Sequence, residues 1–232
     1  MKNRRPYQIF FAHTFPYLLI TSAMAMGYYF TVSSLVTDQG HLWGYTTREW
    51  AYLFGLGCFL QHFLGWLVFR LQIAYQGLTR LFGRFDLVIW GLIFYPLLLF
   101  RPIVTLLLAK MDWGSLYTPS PLTHFLGGII ILPALYTIYS VVRYFGVVRA
   151  LGADHFREKY RTIPLEKRGI YKYSDNAMYT YFFFFFWGIG IISGSVAVLI
   201  TALFQHAFIW VHMYTTEGPD MDILYGKKEK SD

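Results

Sequence analysis

The sequence predicts an all-α membrane protein, a bundle of about six spanning helices that ends in a short helical hairpin. Hydrophobic residues make up 56% of the 232 positions and charged residues only 14%, whereas soluble domains carry about 25% charged residues. Apolar runs of about 18 residues or more recur along the chain, as in proteins with several membrane-spanning helices. This composition predicts a polytopic, multi-pass membrane protein rather than a soluble domain.

Six apolar segments reach, or nearly reach, the length of roughly 20 residues that a helix needs to cross a bilayer. They cover, in order, residues 9–36, 50–69, 87–108, 122–142, 177–192 and 196–213. Pro16 is expected to bend the first span, and Pro96 and Pro102 fall inside the third. The last two spans are short and are joined by Ser193-Gly194-Ser195, so we expect a tight hairpin that barely crosses the membrane.

The basic residues indicate how these spans are oriented. The chain has 20 Lys and Arg residues against 13 Asp and Glu residues. With six spans and a cytoplasmic amino terminus, all basic residues except Arg48, Arg101 and Lys110 fall in cytoplasmic segments, in agreement with the positive-inside rule. We therefore predict that both termini are cytoplasmic. Arg101, which lies between two prolines, belongs either in mid-membrane or at the outer end of the third span.

The basic excess is explained by this topology and by contact with anionic lipid headgroups, so no nucleic-acid partner is expected. Residues 1–232 are expected to form a single membrane domain, with four spans in residues 1–142 and a loop plus hairpin in residues 143–226. The apolar stretch after the basic start of the chain is too long for a signal peptide. Cys58 is the one cysteine, which excludes an internal disulfide and a cysteine-based metal cluster, and no metal site is predicted.

The longest polar stretch, residues 149–175, lies between the fourth and fifth spans. A loop of this length in a compact protein is usually functional. Because the last two spans form a hairpin, residues 176–179 at its start and Glu217 beyond its end are expected to return to the same membrane face. The sequence thus predicts a polar, aromatic and acidic cluster at the cytoplasmic interface.

This cluster carries a motif. The stretch Gly169-Ile-Tyr-Lys-Tyr-Ser-Asp-Asn-Ala-Met-Tyr179, the short hairpin and an acid followed by proline resemble the superfamily of isoprenylcysteine carboxyl methyltransferases and phosphatidylethanolamine N-methyltransferases, which are integral membrane enzymes. The resemblance covers about residues 143–226. Ala177 stands where proline is usual, Tyr181 stands where glycine is usual, and Glu217 alone represents an acidic pair.

The resemblance implies an S-adenosylmethionine-dependent methyltransferase. The cofactor-binding residues that it implies are Gly169, Tyr171, Tyr173, Ser174, Asn176, Met178, Tyr179 and Glu217. Aromatic faces offer stacking surface and attract a sulfonium, while amide and hydroxyl groups would bond to the ribose or the amino-acid end. Glu217 would pair with the cofactor ammonium or, like His155, act as the catalytic base that takes a proton from a substrate amine.

The details resemble the phospholipid branch more closely, because Asp175-Asn-Ala-Met-Tyr179 and the segment 151–156 are similar to it. The expected partner is therefore a membrane lipid such as phosphatidylethanolamine, bound at an active site on the cytoplasmic face. Arg157, Arg161 and Arg168 in the basic loop would bind the lipid phosphate, and Tyr181 would line the substrate groove. The sequence does not determine the oligomeric state.

Four other functions stay open from the sequence alone. A carboxyl methyltransferase acting on isoprenylcysteine would share the motif, and a sterol-reductase-like enzyme has a similar one, although a glutamate usually follows its tyrosine. A haem-binding protein would use His62, His206 and His212, whose spacing suggests no facing pair. The last alternative is a non-enzymatic transporter or scaffold. The sequence shows no inverted repeats of the kind that many transporters contain, so it gives this alternative no support.

Overall fold

The structure is a computed structural model that describes residues 5–225. Its α-helices are α1 (Pro6–Phe10), α2 (Thr14–Leu35), α3 (Thr47–Tyr75), α4 (Gly77–Phe82), α5 (Asp86–Met111), α6 (Pro121–Ser140), α7 (Val147–Ala150), α8 (Glu158–Arg161), α9 (Ala177–Thr180), α10 (Phe184–Ser193), α11 (Val196–His212) and α12 (Gly218–Tyr225). Short 3₁₀ helices cover Gly83–Phe85, Ala153–His155 and Gly169–Lys172, and π-helices cover Val141–Phe145 and Met213–Glu217. The strands β1 (His41–Leu42) and β2 (Tyr45–Thr46) pair antiparallel in one small hairpin. The predicted all-α fold class is confirmed.

Five helical segments of the described chain are long and apolar enough to cross a membrane. They are Pro6–Leu35, Thr47–Tyr75, Gly77–Met111, Pro121–Phe145 and Val196–Tyr225. The other predicted span, residues 177–192, corresponds to the shorter apolar segment Ala177–Ser193, which is divided between α9 and α10. The six-span prediction therefore holds for five long helices and overestimates the regularity of the remaining one.

The last span is longer than the sequence predicted. Its end was expected at Met213, but the helix continues through the π-helical turn Met213–Glu217 into α12. A proline inside a helix clashes with the preceding turn and has no amide hydrogen, and the wider π turn just before Pro219 relieves that conflict. Glu217 consequently lies within a continuous helix rather than in a loop after it.

The first span is interrupted, as its proline predicted. His13 separates α1 from α2 with a left-handed φ of 58°, so the break falls just before Pro16 rather than at it. Proline is tolerated in the first turn of a helix, where its missing amide hydrogen would have no partner in any case. The regular helix α2 therefore starts close to the proline that was expected to bend it.

The main core lies where α2, α3, α5 and α11 meet. Its buried side chains include Tyr28 and Val32 from α2, Phe54 from α3, Leu108 from α5 and Val198 from α11. The outward faces of the same helices expose many large apolar side chains, as expected of helices that lie in lipid. The core therefore joins the start of the chain to the last long helix.

Asp112 connects this core to the hairpin at the end of the bundle remote from Glu217. Its carboxylate accepts hydrogen bonds from the Ser195 hydroxyl at 2.7 Å and from the Ala197 amide at 2.8 Å, at the start of α11. A carboxylate at a helix amino terminus satisfies free amides and complements the helix dipole. This contact fixes where the last long helix begins.

Helices α6 and α10 cross in close contact through two glycines. A Cβ atom on Gly127 would lie 2.7 Å from the Gly188 carbonyl oxygen, and one on Gly188 would lie 2.7 Å from the Gly127 carbonyl oxygen. Small residues allow such close approach of helices in membranes. The crossing holds the divided segment α9–α10 against a regular spanning helix.

Arg101 lies within α5 and only 3% of its surface is exposed. The helix continues past it to Met111, so the structure supports the placement inside the span rather than at its outer end. Its guanidinium carbon lies 5.5 Å from the centre of the Phe183 ring, a cation–π contact with the segment that leads into α10.

Candidate active site

Tyr179 and Glu217 meet at the centre of the candidate site. The Tyr179 hydroxyl, from α9, donates a hydrogen bond to the Glu217 carboxylate, from the π turn after α11. The hairpin between these segments brings the two residues together from positions far apart in the sequence. The structure thus joins the start of the hairpin and its far end, as the hairpin geometry predicts.

Aromatic side chains surround this pair. The Trp210 ring lies 6.1 Å from the Tyr179 ring, and Tyr214 stacks on Trp210 with 6.0 Å between ring centres. Tyr171 is 4% exposed and stacks on Phe145 at 5.3 Å. The Tyr171 hydroxyl is buried without a hydrogen-bond partner among the described residues, so it is free to bind a polar group of a ligand.

Three other residues that the resemblance implies as cofactor-binding, Gly169, Ser174 and Asn176, shape the backbone before Tyr179. Gly169 adopts a left-handed φ of 61°, and a Cβ there would lie 2.5 Å from the Ser140 hydroxyl oxygen, so the motif needs glycine at its start. The Ser174 hydroxyl accepts a hydrogen bond from the Asn176 amide at 3.1 Å, and the Asn176 carbonyl accepts the amide of Tyr179 at the start of α9. These contacts shape the backbone that presents Tyr179.

Tyr173 and Tyr181 line a groove to which Tyr179 does not contribute. Together with Ile170 and three residues of α6 they line an apolar groove of about 390 Å³; the α6 residues are Leu132, Pro133 and Tyr136. Met178 packs against the Ile170 cluster behind it. Residues of the motif therefore contribute to two features, the Tyr179–Glu217 pair and the aromatic groove.

His155 is buried beside this centre, between α3 and α12. Its ring stacks on Phe69 at 4.0 Å, and its nitrogens lie 3.1 Å from the Asp154 carboxylate and 3.4 Å from the Asp220 carboxylate. Burial disfavours the charged imidazolium, but the bonds to Asp154 and Asp220 outweigh it and raise the pKa of His155 to about 9. The imidazole is therefore protonated at neutral pH.

Arg70 and Asp220 are site residues that the sequence analysis missed. Arg70 was assigned only to membrane topology, and Glu217 was taken as the one acid of the motif. The structure places the Arg70 guanidinium 2.9 Å from the Asp220 carboxylate, and both side chains are fully buried. The available signal was Asp220 itself, an acid one helical turn after Glu217 and therefore on the same helix face.

The three arginines predicted to bind lipid phosphate have partners within the protein. Arg157 makes a two-pronged ion pair with the buried Asp86, at 2.7 and 2.5 Å. Arg168 pairs with Glu166 at the surface, and Arg161 donates to the Asp154 carbonyl. A phosphate would have to share Arg168 or Arg161 and to displace a carboxylate from Arg157.

The histidines considered for haem are also placed. His62 and His212 do face each other, with ring centres 5.4 Å apart, so the expectation that they form no facing pair is wrong. The helices α3 and α11 pack side by side, which the spacing of the histidines within the sequence could not reveal. Their rings are in edge-to-face contact, so no porphyrin fits between them, and His206 accepts a hydrogen bond from the Trp187 indole instead.

Residues 122–228 match the phospholipid methyltransferase family. The resemblance to the membrane methyltransferase superfamily is confirmed. This methyltransferase-like region, residues 122–228, contains the described residues Tyr179, Glu217 and Asp220, whereas Arg70 lies outside it.

Three curated relatives are named phosphatidylethanolamine N-methyltransferase. The proteins of Laccaria bicolor, Malassezia globosa and Uncinocarpus reesii are 33%, 30% and 28% identical to the chain over 113, 111 and 121 residues. The aligned stretch is 48%, 48% and 52% of this chain, but only 12%, 11% and 12% of these relatives. No solved structure matches the chain.

Proposed function

We propose that the chain is an S-adenosylmethionine-dependent methyltransferase that methylates the headgroup amine of a phospholipid such as phosphatidylethanolamine. The observation that carries the proposal is the Tyr179–Glu217 pair, which is partly buried within the methyltransferase-like region. The names of the curated relatives support the substrate class.

The residues around this pair fit the proposed cofactor. The cofactor's ammonium would pair with the Glu217 carboxylate. Its sulfonium and adenine would contact the ring faces of Tyr179 and Trp210. The Tyr171 hydroxyl, buried without a partner among the described residues, supplies a polar group for the ribose or the amino-acid end. A carboxylate, aromatic faces and one unpaired hydroxyl are the chemical complement of this cofactor.

The chain's own contribution is to orient the amine and to exclude water. When bound, the cofactor would supply a methyl carbon activated by its positive sulfur, and the site residues would hold the amine lone pair in line with that carbon. Positioning and dehydration are then the main catalytic effects. The amine attacks only when it is unprotonated, so its proton has to leave before the transfer.

His155 then has a different role from the one that the resemblance implied. An imidazole that is already protonated and bonded to two carboxylates cannot accept a proton from a substrate amine. We assign His155 to positioning, since it holds Asp154 and Asp220 next to the helix that carries Glu217.

The aromatic groove supports access of a lipid from the side. Leu132 of α6, which lines the groove, is exposed, and Ile170 and Tyr173 of the motif line the groove as well. Tyr144 continues the aromatic surface with the guanidinium carbons of Arg143 and Arg168 at 5.7 and 5.2 Å from its ring centre. We propose that an acyl chain lies in the groove and that Arg168 binds the phosphate.

A transfer assay distinguishes this function from carboxyl methylation of an isoprenylcysteine. Purified protein is incubated with methyl-labelled S-adenosylmethionine and vesicles that contain phosphatidylethanolamine, or with a prenylcysteine analogue. Label is expected in mono- or dimethylated phosphatidylethanolamine, and the analogue should not compete. Label in the prenylcysteine product alone would reverse the substrate assignment, and no label in either would remove the proposed activity.

We also infer that the site faces the cytoplasm, because the basic loop lies on that side in the arrangement that the positive-inside rule favours. Cys58 is buried, so single cysteines can report exposure. In intact cells, an impermeant maleimide should label Trp113→Cys and should not label Lys159→Cys. The opposite pattern would invert the orientation.

A further inference from the structure

The helix that carries Glu217 has a backbone irregularity next to it. Pro219 has no amide hydrogen, so it cannot bond to the carbonyl of Thr215, its usual partner four residues earlier in a helix. Arg70 donates to that carbonyl instead, with its Nη2 atom 3.3 Å from the oxygen. A side chain of α3 therefore supports the backbone just before Glu217.

The same guanidinium also holds the chain just after Glu217. Its Nη1 atom lies 2.9 Å from the Asp220 carboxylate and donates to the Ile9 carbonyl at 3.2 Å. Arg70 thus spans Thr215 and Asp220, the two sides of the turn in which Glu217 is placed. The planar fork of an arginine can bond two such groups at once, which a lysine ammonium does far less well.

A fully buried ion pair is weak evidence for stability, because desolvation offsets much of its attraction. Its best-attested use is to impose one arrangement on the groups that it joins. Arg70 and Asp220 have that geometry, because each is fully buried and Asp220 lies in the same turn region as Glu217.

We propose that Arg70, although it lies outside the methyltransferase-like region, is a positioning residue that sets the Glu217 carboxylate for catalysis by bracing the π turn. The proposal rests on the proposed function for its effect on cofactor binding, whereas the bracing of the turn is independent of it. Arg70 acts through Glu217 and does not itself touch the reacting atoms.

The test compares the full chain with three variants in lipid nanodiscs. Arg70→Met/Asp220→Asn removes both charges of the buried pair and leaves the His155 imidazolium with Asp154 as its carboxylate partner. Arg70→Lys keeps the charge and loses the fork. Arg84→Met removes an exposed arginine from the same end of the bundle and serves as the control.

Two readouts separate positioning from a merely structural role. Amide hydrogen exchange in residues 213–220 should become at least tenfold faster in both Arg70 variants. Thermal unfolding of Arg70→Lys, which leaves the contact of His155 with Asp220 in place, should stay close to that of the unchanged chain. S-adenosylmethionine affinity should fall at least tenfold in the double variant and several-fold in Arg70→Lys, and adding Glu217→Gln should cause no further loss. Arg84→Met should change neither.

A double variant that exchanges and binds like the unchanged chain would show that Arg70 is only the counterion of Asp220, and would overturn the proposal. If the double variant does not fold, Arg70→Lys decides by the same two readouts. If the unchanged chain binds no S-adenosylmethionine, the proposed function fails, while the exchange of residues 213–220 still confirms or overturns the bracing role.

Discussion

The helices α3 and α5 and the segment from Val141 to Tyr225 are built from similar apolar residues, but their backbones differ. The two helices run without interruption for 29 and 26 residues. The later segment contains both π-helices of the described chain, two 3₁₀ turns and several helices of one turn. Irregular backbone frees polar groups, and near a membrane it persists only where protein or water satisfies them. The candidate site occupies the irregular region, and the regular helices brace it.

The largest expected loss of stability comes from a substitution at the crossing of α6 and α10, which holds the irregular segment against a regular helix. Gly127→Leu should destabilise the fold by about 3 kcal/mol or more, because its side chain would meet the Gly188 carbonyl and Ile192. The neighbouring Gly128 has open space around it, so Gly128→Leu should be nearly neutral. Thermal unfolding in detergent measures both, and equal effects would show that the crossing is not close-packed.

The next prediction is a pH dependence of stability that comes from the charge on His155, which lies where α3 contacts the irregular segment. Its pKa is raised from 6.5 to about 9, so its stabilisation is fully present below pH 6.5 and is lost as the pH rises through 9. At about 1.4 kcal/mol for each unit, the loss is on the order of 3 kcal/mol. Unfolding midpoints from pH 6 to 10 should fall, and His155→Gln should flatten the profile. An unchanged slope in that variant would assign the pH dependence to other groups.

The smallest expected effects concern two arginines of the polar loop, residues 149–175. Arg157→Met leaves the buried Asp86 without its partner and should destabilise the fold by about 2 kcal/mol, since Arg157 itself is partly exposed. Arg168→Met removes only a surface pair with Glu166 and should cost about 0.5 kcal/mol. Urea or thermal unfolding of both variants tests the difference. A larger loss in Arg168→Met would contradict the placement of the loop.

The regular half could be predicted from the sequence, because length and apolarity alone determine which segments span a membrane. The bend before α2 and the start of α9 also followed from local residues, since Pro16 and the motif at residue 176 mark them. The π turn before Pro219 was not predicted, because a proline in the sequence does not tell whether a helix ends, kinks or widens into a π turn. The same holds for the contact of His62 with His212, which requires the packing of two helices.

The candidate site was predictable only where a motif or a hairpin fixed it. The meeting of Tyr179 with Glu217 followed from the hairpin, and the resemblance to the methyltransferase superfamily followed from the residues around Tyr179. The ion pair of Arg157 with Asp86 and the protonated state of His155 arise from burial beside carboxylates, which no local pattern indicates. The electrostatic roles of these residues could therefore be identified only from the folded structure, whereas the resemblance could be recognised from the sequence.

The most direct test of the Tyr179–Glu217 site is the dissociation constant for S-adenosylmethionine, measured by calorimetry in nanodiscs. Glu217→Gln should weaken binding at least tenfold, about 1.4 kcal/mol, because a charge-assisted bond is lost at a partly buried site. Glu158→Gln, which alters an exposed acid of the loop, should bind within about twofold of the unchanged chain. Unchanged affinity in a folded Glu217→Gln protein would contradict the account.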